Sequence, residues 1–358
     1  MIGRCVILTA CLLAMNAHAA TAAAATGQKA DIAFDDYSQL SRTSEMVRRL
    51  FSPLQALRMD RAIALRGDVR EQAIDLSQEK FAAYVPSAVP AAGYALLVFV
   101  PPWEQATVPS RWTAELDRHG MIFVTAANSG NDASVLDRRE PLALLAAHNI
   151  MRRYPVDADR VYIGGFSGGS RVAMRLALGY PDLFRGALLN AGSDPIGDAQ
   201  IPLPPADLMR RFQESTRLVY LTGKDDAARL EMDMHSRRSM QDWCVFDVKS
   251  VLVTWSGHEA PSAAAFNQGL DALESHEKAD PGKLASCRRS YEQALDDELH
   301  AVEQSLAGGN TAEARKALER IDARYGGLAA PRSIDLAQEI DGPQRRPRFP
   351  SCCASDVT

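Results

Sequence analysis

The sequence has no CxxC pair, no cluster of cysteine and histidine, and no long apolar run beyond its first twenty residues. The first two absences leave no metal-binding signature, so no metal is expected. The third, with a mean hydropathy of −0.18, excludes a polytopic membrane protein. Charge of one sign is also lacking. Forty Lys and Arg stand against 45 Asp and Glu, a net charge of −5, which leaves no electrostatic footprint for nucleic acid. What is present is an ordinary globular composition of 358 residues, 46% hydrophobic and 24% charged. That length suggests about two domains, or one large α/β domain with an addition.

The N-terminus reads as an export signal over residues 1–19. Arg4 is a minimal positive region, Cys5 to Met15 is apolar, and Ala17-His18-Ala19 is a small-residue cleavage site. Leu8-Thr9-Ala10-Cys11 resembles a lipoprotein box, but the apolar run continues past Cys11, which disfavours anchoring there. The expectation is a periplasmic or secreted protein with no stable membrane insertion after signal removal, and a disordered leader over residues 20–35. Export changes the reading of the remaining cysteines, Cys244, Cys287, Cys352 and Cys353. In an oxidising compartment Cys244 and Cys287 can clip the C-terminal region to the core; two buried free thiols are the alternative. Cys352 and Cys353 lie in a Pro/Arg-rich tail.

From about residue 72 short apolar runs alternate with helix-period segments. Ala73 to Asp75 and Lys80 to Val85 read as a hairpin. Tyr94 to Val100, Met121 to Ala126, Val161 to Gly164, Gly186 to Leu189, Leu218 to Thr222 and Val248 to Thr254 read as buried strands. Helices are expected over Leu142 to Tyr154, Ser170 to Tyr180, Arg229 to Trp243 and Ala263 to Ser275. This alternation implies an α/β fold, a mostly parallel sheet covered by helices on both faces, over residues 36–279. Residues 280–342 turn to helix only. Tyr291, Leu295, Leu299, Val302 and Leu306 form one apolar stripe and Ala314, Leu318, Ile321 and Tyr325 a second, with Asn310 and Glu313 as a capping box between them. A short third helix follows near Ile334 to Ile340, and residues 343–358 read as a disordered tail. The helical hairpin faintly resembles one tetratricopeptide unit, and one pair is too few for a repeat array. It reads as a packing cap on the core, with docking of a protein partner as the alternative.

Gly165-Phe166-Ser167-Gly168-Gly169 fits G-x-S-x-G, and it lies between an expected strand and an expected helix. That context is what a nucleophile turn requires: the turn is tight, its flanking residues are glycine, and the serine hydroxyl is exposed. The spacing is not that of a dinucleotide-binding G-x-G-x-x-G. A serine needs a base, and the base a carboxylate, which in such sheets follow in the order Ser, acid, His. His258, in Ser256-Gly257-His258-Glu259 directly after a strand, is the candidate base. His276 and His300 are expected on helices facing solvent, and His235 and His148 are read as structural. The acid ends the strand at Thr222, where Asp225 and Asp226 are adjacent; the turn favours Asp226, and the other should cap the next helix. The N–H of Gly168 is one expected oxyanion donor. Pro101 and Pro102 have no N–H, so Trp103 is the second candidate, with a plain packing role as its alternative.

These residues carry a resemblance. The stretch from about Tyr94 to Phe266 looks like the α/β-hydrolase superfamily, particularly its exported polyhydroxybutyrate depolymerase-like and feruloyl-esterase-like branch. The segments concerned are Ala127 to Asn131, Tyr154 to Gly169, Tyr180 to Ser193, Thr222 to Asp226 and Gly257-His258-Glu259. The resemblance implies ester hydrolysis through a serine acyl-enzyme with no cofactor, on a small or oligomeric ester. Val100-Pro101-Pro102-Trp103 departs from the histidine-glycine pair common in relatives, and the sequence has no separate polymer-binding module. A serine peptidase of the same fold and a non-catalytic binding protein are the competing readings.

Overall fold

The computed structural model describes residues 26–66 and 70–342. The signal segment with Cys11, the pair Cys352 and Cys353, and the tail lie outside the described residues. Eight strands form one sheet: β1 (Gly27–Ile32), β2 (Phe81–Val85), β3 (Tyr94–Val100), β4 (Met121–Ala126), β5 (Val156–Phe166), β6 (Gly186–Asn190), β7 (Arg217–Gly223) and β8 (Val248–Val253). Their order is β1-β2-β4-β3-β5-β6-β7-β8. β1 and β2 run antiparallel at one end, and every pairing from β4 through β8 is parallel.

The helices before the C-terminal region are α1 (Thr43–Leu50), α2 (Pro53–Arg66), α3 (Thr113–Arg118), α4 (Glu140–Arg153), α5 (Gly168–Gly179), α6 (Ala206–Ser215), α7 (Ala227–Asp242) and α8 (Ala263–Glu274). The two faces of the sheet feed two cores, because successive side chains of a strand point to opposite sides. On β3, Leu96, Val98 and Val100 join the core under α4 and α5. Ala95, Leu97 and Phe99 join the other, where Trp112 stacks on Phe266 of α8 with ring centroids 4.3 Å apart.

The C-terminal region is α9 (Pro281–Ala307), α10 (Thr311–Tyr325) and α11 (Arg332–Asp341). Leu299, Val302, Leu318, Ile321 and Tyr325 lie in the same core as Leu50 and Phe212. Docking is also polar: Ala199 N–H donates to the Ala323 carbonyl at 2.7 Å, and Gly327 N–H to that of Leu203 at 2.7 Å. Cys244 and Cys287 are bonded, tying the first turns of α9 to the end of α7 across a separation of 43 residues.

Several expectations need correction. The leader expected over residues 20–35 contains β1, whose Gly27 pairs with Val85 and Lys29 with Ala83. Its polar sequence GQKADI hid it. An edge strand is held by the ladder, and here Phe34 just beyond it packs on Phe81 with ring centroids 4.5 Å apart. Ala73 to Asp75 is not a strand; Asp75 accepts from Ser77 N–H and starts a 3-10 turn over Leu76–Gln78. β2 therefore takes β1 as its antiparallel partner. His276 lies in the segment after α8 rather than on a helix, and its Nδ1 meets Asp247 at 2.7 Å. Asn310 occupies the N-cap of α10 without a side-chain cap bond, so the capping box does not form.

Candidate active site

β5 ends at Phe166 and α5 begins at Gly168, so Ser167 occupies the whole turn between strand and helix. Its backbone stands at φ 54° and ψ −119°, a region that non-glycine residues occupy only when the surroundings impose it. Those surroundings are visible. A Cβ on Gly165 would lie 2.3 Å from the Gly169 carbonyl, and one on Gly169 would lie 1.9 Å from the Val100 oxygen. The helix can start this close to the strands only because both residues are glycine.

The Ser167 hydroxyl donates to His258 Nε2 at 2.9 Å, and His258 Nδ1–H donates to Asp226 Oδ2 at 2.6 Å. An ionised carboxylate can only accept, which fixes the proton on Nδ1 and leaves Nε2 free for the serine. His258 hangs on the loop after β8, and its ring packs 5.0 Å from that of Phe166. Of the two adjacent acids, Asp226 is buried and meets the histidine; Asp225 is exposed. The expected division of labour fails in one respect. Asp226 itself is the N-cap residue of α7 and makes no side-chain cap bond, and no cap is supplied by Asp225. Asp226 turns inward to His258 instead.

Gly168 opens α5, so its N–H belongs to the first turn, whose amides have no intrahelical acceptor. Trp103 sits in the loop after β3, its ring 6.3 Å from that of Phe166. That loop is clasped to the one after β4: Asn128 N–H donates to the Glu104 carbonyl at 2.7 Å and Asn131 N–H to that of Pro102 at 3.0 Å. Asn131 then reaches Gly168, where an added Cβ would lie 2.1 Å from its Oδ1. The Asn128 to Asn131 turn thus borders the site.

Beside Ser167 opens a cleft of about 610 Å³. A π-helical turn over Val135–Arg139 forms one wall and α5 another. Four arginines line it, Arg139, Arg171, Arg175 and Arg229. None was singled out from the sequence. The signal was there: Arg171 and Arg175 follow Ser167 at four-residue spacing, one face of a helix, and Arg229 stands three residues after Asp226. Below Asp226, Asp233 is buried, and burial pushes its carboxyl up to about 6. Among the described residues no group of His, Cys, Asp and Glu is arranged to hold a metal ion, and no helix is long and apolar enough to cross a membrane.

Residues 80–253 match the family model described as esterase PHB depolymerase. No curated protein matches the sequence. Among solved structures, similarity extends to a thermostable esterase (16% identity, TM-score 0.37, 50% of this chain and 51% of that one). It extends also to dipeptidyl peptidase 4 of Porphyromonas gingivalis (13%, 0.39, 55% and 34%). A third is a poly(3-hydroxybutyrate) depolymerase of Bordetella parapertussis (17%, 0.39, 58% and 88%). The chain spans about half the length of the first of these and about a third of the second. With its mostly parallel sheet covered by helices and its strand–serine–helix turn, the chain has an α/β-hydrolase fold, and its residues 80–253 are similar to the PHB-depolymerase-like esterases.

Proposed function

We propose that the protein is an exported carboxylic ester hydrolase working through Ser167, His258 and Asp226. The observation that carries this reading is the continuous chain of two short hydrogen bonds from serine to histidine to carboxylate. Ser167 Oγ attacks the ester carbonyl carbon while His258 Nε2 takes its proton, and Asp226 stabilises the imidazolium and holds its orientation. The carbonyl oxygen becomes an oxyanion, for which the N–H groups of Gly168 and Trp103 are the donors. Collapse expels the alcohol, which receives the proton from His258, and leaves an acyl group on Ser167. Water then enters with His258 again as base, and the carboxylic acid departs. Every proton is returned, so the cycle needs no cofactor. The Cys244–Cys287 bond supports an oxidising compartment and hence export.

The test is labelling by a fluorophosphonate probe with parallel turnover of 4-nitrophenyl butyrate. Ser167→Ala should lose labelling entirely and turnover by about 10⁴-fold or more, with its thermal melt unchanged in form. Retention of most of the esterase activity in that variant would sink the assignment.

A further inference from the structure

The charge of the cleft is out of balance. Arg171 pairs with Asp194 at 2.9 Å and Arg175 with Glu140 at 2.6 Å. The other two arginines have no carboxylate within salt-bridge distance among the described residues. Arg139 is buried, only 4% exposed, and donates to the carbonyls of Ser129 at 2.9 Å and Pro101 at 2.9 Å. Arg229 is half-buried, with its Nη1 2.9 Å from the Met232 sulfur. Two guanidiniums thus face one cleft without a direct ion pair, Arg139 feeling Glu104 and Glu140 only from a distance. The setting is partly buried, and a charge there is screened less than in open water. Burying a cation without a paired carboxylate costs stability, which makes a cleft that keeps two such cations a candidate site for an anion.

The backbone makes room for this arrangement. Gly192 stands at φ +105°, and a Cβ there would lie 2.8 Å from Arg229 Cδ. The Arg229 stem therefore lies directly on the chain just after β6, where Ala191 also lines the cleft. Val135, Leu136 and Val172 supply apolar wall in the same cleft as Ser167 and the guanidiniums. A cleft that combines Ser167, apolar wall and guanidinium fits a short aliphatic chain with a charged end. Planar forked donors suit a carboxylate in particular.

We propose that this cleft selects esters carrying a free carboxylate on a short aliphatic chain, with Arg229 pairing to the carboxylate and Arg139 supplying positive potential from beneath. The proposal rests on the reading of Ser167 as the nucleophile. The carboxylate can sit on the acyl side, as in a monoester of a dicarboxylic acid, or on the alcohol side, as in an acylated hydroxy acid. The chemistry recognised is the same.

Two substrate pairs distinguish these sources. One is 4-nitrophenyl hydrogen glutarate against its methyl ester, with release of 4-nitrophenol followed. The other is 3-(butyryloxy)butanoate against 3-(butyryloxy)butanamide, with release of butyrate followed. In at least one pair the anion should be favoured at least tenfold in kcat/KM, chiefly through KM, and 0.5 M NaCl should erode the preference. Arg229→Gln should cut the anion-to-neutral ratio about tenfold, and Arg229→Lys should restore part of it. An enzyme that turns over the neutral esters but shows no anionic preference in either pair overturns this proposal alone. So does a preference that survives Arg229→Gln. No turnover of any ester, together with no fluorophosphonate labelling, overturns the nucleophile reading and this proposal with it.

Discussion

The Asp322 carboxylate accepts a 2.5 Å hydrogen bond from the Ser52 hydroxyl, 270 residues earlier in the chain, and a second of 2.9 Å from the Leu54 N–H. Ser52 immediately precedes α2, whose first amides have no intrahelical acceptor. A residue of α10 therefore caps a helix near the N-terminus, and the C-terminal region closes over a part of the core that α2 also covers. Burial holds the Asp322 carboxyl above its ordinary range, so the bond is made at the expense of desolvating an acid.

Asp322→Ala should destabilise the protein by about 1–3 kcal/mol, the cost of leaving buried donors unmet. Asp322→Asn, which keeps an acceptor for Leu54 and the space filled, should cost less. Thermal melts of the two variants check the ranking. Deletion after Ala279 goes further, exposing the apolar surface under α9 and α10 and stranding Cys244. The expected product is insoluble or strongly destabilised protein; a soluble and fully active one would show that the helical region is dispensable to the hydrolase.

The disulfide offers a separable test of the same contact. Cys244→Ser with Cys287→Ser removes a crosslink closing 43 residues. Constraint of the unfolded chain at that loop length is worth about 4 kcal/mol in the entropic model. The double variant should melt well below the parent, and reductant should lower the parent's melting temperature toward the variant's without shifting the variant.

The candidate site was legible where chemistry demands a residue type at a fixed place in a turn. Gly165, Ser167 and Gly168 lie within four consecutive residues, and His258 follows a strand that its apolar run made visible. β1 was not legible, because an edge strand held by backbone bonds and by Phe34 needs no apolar alternation of its own. The arginine cleft was not legible either. Arg139, Arg171 and Arg229 come from three elements, and each alone reads as a solvated helix residue until the sheet order brings them together.

Asp226 and Asp225 are neighbours in sequence and differ in what they touch, so their amides should differ sharply. Asp226→Asn replaces an accept-only carboxylate by an amide that can also donate to Nδ1 and so favour the wrong His258 tautomer, and turnover should fall by about 10³–10⁴-fold with the fold intact. Asp225 is exposed, and Asp225→Asn should stay within a few-fold of the parent. Steady-state hydrolysis of 4-nitrophenyl butyrate decides, and the reverse ranking would move the orienting role to Asp225.

Asp233 sets a pH dependence of stability. It is buried, and Thr222 Oγ1 donates to its Oδ2 at 2.5 Å, while Oδ1 is buried with no hydrogen-bond partner among the described residues. Burial is the main reason its carboxyl rises from 3.8 to about 6; the Asp226 charge adds to the rise, and the Thr222 hydroxyl, the Ser193 amide and Arg237 oppose it. Between those values the folded protein holds a proton that the unfolded chain has released. The contribution of Asp233 is therefore fully present below about pH 4 and is lost as pH rises through 6. Asp233→Asn keeps a neutral amide at every pH. The variant should match or fall slightly below the parent at pH 4 and exceed it at pH 8, by up to about 3 kcal/mol for a rise of this size. Chemical denaturation of both proteins across that range measures the difference, in which all other titrating groups common to the two cancel. A stability difference that stays flat from pH 4 to pH 8 would show that Asp233 ionises at its ordinary pH despite its burial.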